Sequence, residues 1–319
     1  MIYMDTYGRV GNQLFYYAFA RKIMKTLERE RESRLSLSFK DGDYNEDYLK
    51  EFNVVSYETR DTFWNQELQK CTNKFQKILL SLAANRLNKA SNNKTTCFLL
   101  SHIQQFGGYF YHGQYVDFKK PPFKFRKPSR FIKDVYVSGN FEWSGWFDDI
   151  RGVLLDEITP KKPELDHNAD LYCKIRNTNS VCISIRLGDF LDEIHKNMYY
   201  VCNEDYFIEA IKKMREKVDN PTWFVFSDDI QWAKDSGLFT GDDKVYYERG
   251  DDPVWEKLRL MYSCKHFIIS NSTFSWWAQY LSRNEDKVVV SPDVWFNPGI
   301  KHALIEDSFV KVNIAELKN

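Results

Sequence analysis

The sequence feature that most constrains the fold is a regular alternation of short apolar runs and longer segments of helical periodicity in the second half of the chain. Apolar runs of this kind are typical of buried strands. Strands that alternate with helices form a parallel sheet with helices on both faces, so this half is predicted to be a Rossmann-like α/β domain. We predict strands at 181–185, 223–226, 245–247, 267–269 and 288–291 and helices at 205–218, 230–236, 253–264 and 274–281.

The first half begins with the same kind of unit, in which an apolar run leads through a glycine-bearing turn into an apolar helix. With 319 residues, the chain is long enough for two domains. We predict domains at 1–160 and 161–319, with the proline-bearing stretch at 160–163 as the linker. The elements predicted in the first half are strands at 2–6, 35–39 and 136–140 and helices at 12–24 and 147–157.

The charge balance argues against one class of partner. Lys plus Arg and Asp plus Glu number 45 each, so no overall field would attract nucleic acid.

Residues 1–25 have neither the basic region nor the apolar run of a secretion signal. The six cysteines are scattered and form no CxxC pair. We therefore expect a cytoplasmic protein with reduced thiols.

Two basic segments leave open a peripheral contact with a membrane. Residues 75–87 carry apolar side chains at helical spacing, flanked by basic residues, and residues 119–133 combine many basic residues with prolines. A helix packed on the core and a solvated loop are the simpler interpretations. Any such contact would be at the inner face of the cytoplasmic membrane.

Polar residues follow three of the predicted strands. They are Arg186 to Asp189, Ser227 to Asp229, and Ser270 to Thr273. In open parallel sheets ligands bind at the carboxyl ends of the strands. An arginine, carboxylates, and hydroxyls at a helix N-terminus are the groups of a nucleotide-diphosphate site. Alternatively, Arg186 and Asp189 pair with each other and the serines cap helices.

Other nucleotide and metal motifs fit less well. The GRVGNQ turn at 8–13 lacks the GxGxxG pattern, and no GxxxxGK[ST] occurs, so the dehydrogenase and P-loop interpretations lose support. The residues Asp41-Gly42-Asp43 match the DxD pattern of many metal-dependent nucleotide-sugar enzymes. Because they lie among turn-forming residues, a surface turn is the simpler interpretation, and we predict no metal site.

Several sequence blocks resemble the family 11 glycosyltransferases, which are α-1,2-fucosyltransferases. Residues 8–18 resemble the family's GGLGNQMFQYA block, and residues 184–190 are similar to HVRRGDY. Residues 226–229 match FSDD, and residues 268–277 match IIANSTFSWW almost throughout. The blocks occur in the family's order over nearly the whole chain. The resemblance implies an α/β fold of GT-B type, with two Rossmann-like domains facing a cleft, the N-terminal one on the acceptor side and the C-terminal one binding the donor.

The resemblance also implies roles for individual residues. Arg186 would be catalytic, because without a metal a fixed arginine must stabilise the charge on the departing diphosphate. Ser184 and Leu187 stand where the family has His and Arg. The general base is less defined, and its candidates are Glu193, Asp5, Asp192 and Glu142. The substrate-binding residues implied are Arg9, Asn12, Ser184, Asp228 as a guanosine contact, and Ser272, Thr273 and Phe274 as a phosphate-binding turn.

The function implied is that of an inverting galactoside α-1,2-fucosyltransferase. It would move L-fucose from GDP-fucose, its donor substrate, to a galactose-terminated oligosaccharide or lipid-linked glycan in surface-polysaccharide synthesis. No cofactor and no metal are implied. One alternative is a related transferase with another sugar donor or linkage. The other is a non-catalytic glycan- or nucleotide-binding module in which the changes at Ser184 and Leu187 have removed the chemistry.

Overall fold

The computed structural model describes residues 1–26, 34–39, 46–60, 108–113, 134–139, 141–297, 299–300 and 302–318. The chain forms two compact units, one of Met1–Lys50 with Val54–Val153 and one of Glu51–Asn53 with Leu154–Asn319. The predicted division at residue 160 into an acceptor-side and a donor-side domain stays a prediction. Its linker is held by hydrogen bonds, since the Lys161 N–H donates to the Glu51 carbonyl oxygen (2.8 Å).

The described part of the first unit contains a five-stranded parallel sheet. Its strands have the order β3-β2-β1-β5-β4. The three strands predicted here are confirmed to within two residues at each end, whereas β3 and β4 were not predicted. The strand bounds are β1 (Ile2–Asp5), β2 (Leu35–Ser38), β3 (Tyr57–Arg60), β4 (Gly108–Gly113) and β5 (Asp134–Gly139).

Helix α1 (Val10–Thr26) follows β1 through a turn that requires a glycine. Gly8 has φ +71°, and a Cβ there would lie 2.7 Å from the Asn12 side-chain nitrogen. The helix is buried on nearly all sides, as expected for a helix that crosses the inside of an α/β unit. This turn sets the position of the Arg9 and Asn12 side chains.

The described part of the second unit contains a six-stranded parallel sheet with the order β11-β10-β9-β6-β7-β8. Counted along the chain, this is the order 3-2-1-4-5-6 of the Rossmann fold. The predicted α/β class of GT-B type is confirmed, since each unit has its own Rossmann-like parallel sheet. The strand bounds are β6 (Asn179–Ile185), β7 (Pro221–Ser227), β8 (Val245–Tyr247), β9 (His266–Ile269), β10 (Val289–Pro292) and β11 (Val310–Val312).

Helices pack on this sheet through one apolar face. In α5 the side chains of Tyr206, Phe207, Ala210 and Met214 are buried, at the spacing of a single helix face. Among the described residues of this unit, α3, α4 and β11 were not predicted. The bounds of the remaining helices are α2 (Arg151–Glu157), α3 (Ala169–Asn177), α4 (Lys196–Tyr199), α5 (Glu204–Arg215), α6 (Ile230–Asp235), α7 (Val254–Tyr262) and α8 (Thr273–Leu281).

Three sequence predictions fall outside the described residues. They are the amphipathic helix at 75–87, the basic segment at 119–133 and the turn at 41–43. Within the described ranges, no helix has the length and apolar character needed to cross a bilayer.

Candidate active site

The candidate site lies at the carboxyl edge of the second sheet. Strand β6 has β7 on one side and β9 on the other, and the chain order reverses at this point. In open parallel sheets, ligands bind in the crevice at such a switch point. Arg186 follows β6, Asp228 follows β7, and Ser270 follows β9, so the three predicted polar segments come from adjacent strands.

Arg186 lies between two carboxylates. Its Nη1 donates to Asp228 Oδ2 (2.6 Å), and its Nη2 donates to Asp189. The guanidinium also lies over the Phe190 ring, 5.6 Å from the centroid. Its side chain is 22% exposed, which leaves it accessible to a ligand. The pair of Arg186 with Asp189, which was the alternative to a ligand-binding role, is therefore present, and Arg186 contacts Asp228 at the same time.

Asp228 uses both of its carboxylate oxygens on protein donors. Oδ2 accepts from Arg186, and Oδ1 accepts from the Leu187 N–H (2.9 Å). Asp228 can come this close to the turn after β6 only because residue 188 is a glycine. Gly188 has φ +21°, and a Cβ added to it would lie 2.6 Å from Asp228 Oδ2. Asp228 thus fixes both the arginine and the backbone behind it. Its role as a guanosine contact stays a prediction, and each of its oxygens, which accepts one hydrogen bond from these donors, can accept a second.

Ser184 lies at the buried end of β6. Its Oγ is 2.6 Å from Ser275 Oγ, which is in turn 3.1 Å from Ser270 Oγ. All three side chains are buried. This row of hydroxyls ties β6 to the loop after β9 and to the first turn of α8. A direct contact between Ser184 and substrate stays a prediction.

The predicted phosphate-binding turn is the start of α8. Ser272 is the N-cap residue, with extended backbone and no side-chain capping bond, so a capping role for its hydroxyl is wrong. Ser272, Thr273 and Phe274 are half-buried, whereas Trp276 and Trp277 are fully buried. The tryptophans of the motif are therefore core residues. The N–H groups of a first helical turn have no partner within the helix and favour an anion.

Asn271 organises the loops around this turn. Its Nδ2 donates to the carbonyl oxygens of Tyr199 (2.8 Å) and Trp295 (2.9 Å). The Tyr199 ring lies against the rings of Phe190 (5.4 Å between centroids) and Phe296 (5.5 Å). Aromatic side chains thus extend from the Arg186 guanidinium to the loop after β10. Sequence reasoning did not assign this organising role.

The end of β7 is also fixed by side chains. The Asp229 N–H donates to Ser227 Oγ (3.0 Å), and Asp229 Oδ1 accepts from the Trp232 N–H (2.9 Å) at the start of α6. The helix cap is therefore Asp229 rather than Ser227. Asp228 is thus flanked by two anchored residues.

The acids on the loop after β6 lie in solvent. Glu193 is exposed and makes no hydrogen bond or ion pair with the described residues. Asp192 is also exposed, with Oδ2 4.0 Å from His195 Nδ1. The structure does not bring either carboxylate into contact with Arg186. Their role as a general base stays a prediction.

The remaining predicted site residues belong to the first unit. Asp5, the last residue of β1, is buried and paired with Arg60. Arg9 is exposed just before α1, and Asn12 is half-buried in its first turn. Glu142 is half-buried after β5. The catalytic role predicted for Asp5 stays a prediction.

Gln13 of the GNQ motif is a buried connector. Its Nε2 donates to the carbonyl oxygens of Gly8 (3.1 Å) and Glu46 (2.8 Å), and its Oε1 accepts from the Tyr48 N–H (3.0 Å). It therefore fixes the turn that carries Arg9. The buried amide explains why a glutamine suits this position.

Glu248 and Lys257 form a second group that the sequence analysis missed. Glu248 follows β8 and is buried, and its Oε1 accepts from Lys257 Nζ (3.1 Å) and the Ser227 N–H (3.3 Å). Burial raises the pKa of Glu248, and the lysine ammonium opposes that rise. Glu248 directly follows a predicted strand, so the rule that ligands bind at the carboxyl ends of parallel strands would have indicated this residue.

Metal-ligating residues do not cluster in the part of the chain that the structure describes. No group of three or more His, Cys, Asp or Glu side chains there could hold an ion. The predicted independence from metal stays a prediction, because residues 41–43 lie outside that part.

Comparison with known proteins decides the family. The family model described as Glycosyl transferase family 11 matches residues 1–311. The chain belongs to this family. The recognition of the family from the sequence blocks is thereby confirmed.

Three curated relatives of this family 11 chain are similar to it over part of their length. An α-1,2-colitosyltransferase of Escherichia coli is 34% identical, over 50% of this chain and 58% of that protein. The O-antigen biosynthesis glycosyltransferase WbnK of Escherichia coli is 30% identical, over 57% of this chain and 62% of that protein. A galactoside α-(1,2)-fucosyltransferase 1 of Leontopithecus chrysomelas is 27% identical, over 43% of this chain and 40% of that protein. The chain thus spans less than two thirds of the length of each.

Among solved structures, NodZ α-1,6-fucosyltransferase soaked with GDP-fucose is similar, with a TM-score of 0.49. It shares 12% sequence identity, over 92% of this chain and 95% of that one.

One departure from the family blocks has a structural reason. Leu187, which stands where the family block has its second Arg, is 1% exposed and packs into the core of the second unit. Its N–H, rather than its side chain, serves the site by holding Asp228. In this family 11 chain the charge at the end of β6 therefore comes from Arg186.

Proposed function

We propose that this family 11 glycosyltransferase is an inverting α-1,2-fucosyltransferase. It transfers L-fucose from GDP-fucose to a galactose-terminated oligosaccharide or lipid-linked glycan. The observation that carries the proposal is the position of Arg186, at the switch point of a Rossmann-ordered sheet and next to Asp228. The α-1,2-fucosyltransferase and α-1,2-colitosyltransferase among the relatives support it.

The chemistry needs a cation at this position. The bond between the fucosyl C1 and the β-phosphate oxygen breaks, and its electron pair stays on GDP. The acceptor hydroxyl oxygen forms the new bond to C1 from the opposite face and gives its proton to a base. A guanidinium and the N-terminus of α8 stabilise the charge that develops on GDP. Arg186 is the proposed catalytic residue, and Glu193 and Asp5 remain the proposed bases.

The donor site would combine residues that recognise different parts of GDP-fucose. Ser272, Thr273 and Phe274 at the start of α8 would bind the diphosphate. Asp228 would accept from guanine N1–H and N2–H₂, a pair of donors that uracil and adenine lack. Arg9 and Asn12 would contribute from the first unit.

The charge of Arg186 makes a divalent metal unnecessary in this proposal. Transfer should therefore continue in excess EDTA. Loss of transfer in EDTA together with recovery in manganese would contradict the proposal, and a variant with Asp41 and Asp43 both changed to Ala would then test whether that turn binds the ion.

A donor and acceptor screen tests the proposed function directly. GDP-fucose, GDP-mannose, UDP-galactose and ADP-heptose are each offered with a panel of galactosides. We expect transfer from GDP-fucose alone, and an α-1,2-specific fucosidase should release the sugar. A β-fucoside in the NMR spectrum of the product would refute inversion. GDP binding without turnover on any acceptor would favour the non-catalytic alternative.

A second candidate is transfer of colitose, which the 34% identical colitosyltransferase favours. Colitose is L-fucose without the 3-hydroxyl group, so both sugars place the same leaving group at C1. A site that hydrogen-bonds the 3-hydroxyl would reject colitose strongly, whereas one that does not would accept both. Comparing kcat/KM for GDP-fucose and GDP-colitose separates the two functions.

The cellular role also belongs to the proposal. The O-antigen biosynthesis enzyme among the relatives supports a role in surface-polysaccharide assembly. We place the reaction in the cytoplasm, with peripheral contact at the inner face of the membrane if the acceptor is lipid-linked. Fractionation in low and high salt measures that contact, because an electrostatic association is released by salt.

A further inference from the structure

The end of β8 is connected to Arg186 by a series of hydrogen bonds and by the peptide bond that joins Ser227 to Asp228. Glu248 Oε1 accepts from the Ser227 N–H, and Ser227 is followed directly by Asp228. Asp228 in turn accepts from Leu187 N–H and from Arg186. The series crosses the carboxyl ends of three neighbouring strands, β8, β7 and β6.

The first member of the series is well fixed. The Glu248 side chain is 1% exposed, and its backbone N–H donates to the Val225 carbonyl oxygen (3.0 Å). Lys257 Nζ holds Glu248 Oε1 and also donates to the Gly250 carbonyl oxygen (3.0 Å). Glu248 Oε2 is buried and has no hydrogen-bond partner among the described residues. A buried carboxylate with one unsatisfied oxygen is costly for stability alone.

This cost alone assigns no role, because Glu256 Oε2 is also buried without a hydrogen-bond partner among the described residues; what distinguishes Glu248 is where its bond to the Ser227 N–H lies. Burying a charge pair is often no more stabilising than packing an apolar side chain of similar size. A carboxylate differs from an apolar side chain in that it directs a hydrogen bond, here to the backbone of the residue before Asp228. We propose that Glu248 is a positioning residue that holds Asp228 and thereby aims the Arg186 guanidinium at the donor diphosphate. Its effect on transfer rests on the proposed function.

The structure offers a matched control for this role. Glu256 in α7 is also a fully buried carboxylate, and its Oε1 accepts from the Leu165 N–H (3.1 Å). It also lies near a cation, with Arg259 Nη1 3.6 Å from its Oε2. Glu256 is therefore matched in burial, in its backbone bond and in its ion pair. Its bond fixes residue 165, away from the ends of the strands.

The first experiment needs no substrate. Hydrogen exchange at the Leu187 amide is measured in the free protein, because that N–H donates to Asp228 Oδ1. We expect Glu248→Leu to speed this exchange by about tenfold or more, through local opening. Glu256→Leu, with a comparable loss of stability, should leave it unchanged. Glu248→Gln keeps an acceptor for the Ser227 N–H, so the Leu187 amide should stay as protected from exchange as in the wild type.

The second experiment measures transfer. Glu248→Leu should lower kcat by roughly tenfold or more, with little change in the KM for the acceptor, because it disturbs the group that acts on the leaving diphosphate. Glu248→Gln should restore most of the rate. If Glu248→Leu does not fold, Glu248→Asp serves instead, since it keeps the charge but withdraws the acceptor from Ser227.

The outcomes separate the two proposals. Equal exchange at Leu187 in the Glu248 and Glu256 variants would overturn the positioning role, whatever the enzyme transfers. Faster exchange in the Glu248 variant alone, with a wild type that transfers no fucose, would support the positioning role and refute the proposed function.

Discussion

Replacing Gly188 by alanine tests how closely Asp228 and the turn after β6 fit together. A Cβ at this position would lie 2.6 Å from Asp228 Oδ2. Since carbon–oxygen contacts are usually no shorter than about 3.3 Å, the carboxylate would have to move by ~0.7 Å. The 2.6 Å bond from Arg186 would then lengthen beyond the range of a strong charge-assisted bond.

The expected loss of stability has three contributions. A non-glycine residue at positive φ costs about 1 kcal/mol. Weakening the partly exposed bond between Arg186 and Asp228 costs about 1 kcal/mol, after discounting for solvent. The alanine recovers about 0.5 kcal/mol by restricting the unfolded chain. The Gly188→Ala variant should therefore unfold with a free energy lower by about 1 to 2 kcal/mol, measured by urea denaturation.

Two other glycines separate these contributions. Gly237 also has positive φ (+67°) but a Cβ there would meet nothing within 4 Å, so Gly237→Ala measures the backbone strain alone. Gly152, in α2, has neither feature, and Gly152→Ala should be stabilising by about 0.5 to 1 kcal/mol. Only Gly188→Ala should also speed exchange of the Leu187 amide and lower transfer by tenfold or more, in order of magnitude. A Gly188→Ala variant that matched Gly237→Ala in stability, exchange and transfer would refute this reasoning.

The other predictions concern single residues. Arg186→Lys should fold normally but lose transfer by about several hundredfold, because an ammonium cannot form the bidentate contact with the phosphate; near-normal turnover would remove the catalytic assignment. Leu187→Arg should cost more than about 5 kcal/mol and yield little folded protein, since it buries a guanidinium in the core, whereas Leu187→Met should cost less than about 1.5 kcal/mol. GDP should raise the Tm more than UDP does at equal concentration, and Asp228→Asn should narrow that difference; equal protection in the wild type would refute guanine recognition. Burial lowers the pKa of His266, so the unfolded chain binds its proton more tightly than the folded chain, and the free energy of unfolding should fall as the pH drops below about 6.5; His266→Gln should reduce that fall.

The elements that sequence predicted best are the buried ones. All of β6 from Ser180 to Ile185 is buried, and its apolar run stands out from the polar residues around it. Strand β3 is an edge strand whose side chains are exposed or half-buried, so it has no apolar run to detect. The edge strand β11 is only three residues long and includes the exposed Lys311. Periodicity reports burial, and β3 and β11 have little of it, whereas the half-buried edge strand β8 was predicted because Val245, Tyr246 and Tyr247 have side chains typical of strands.

The site was predictable in its location but less so in its contacts. The rule for strand ends correctly placed Arg186 and Asp228 on neighbouring strands. It could not show that Asp228 bonds to Arg186 and to the Leu187 N–H, because side-chain partners depend on the turn geometry at Gly188. Nor could it show that Ser184 turns inward to Ser275, since burial at the last residues of a strand depends on the helix packed above it.

The contacts of Arg186 also constrain how the donor can bind. One guanidinium lies between two carboxylates, so the local charge without substrate is negative, and a diphosphate would add further negative charge. The two carboxylates take two of the five guanidinium N–H groups, so the diphosphate can bond to the others, and it gains a further N–H group for each carboxylate that the arginine releases. Asp228 is held independently by the Leu187 N–H through Oδ1 and stays in place if Oδ2 loses its partner. Each carboxylate oxygen can accept two hydrogen bonds, so Asp228 can bond to the guanine edge while Oδ2 keeps its bond to Arg186, and base recognition does not compete with the arginine.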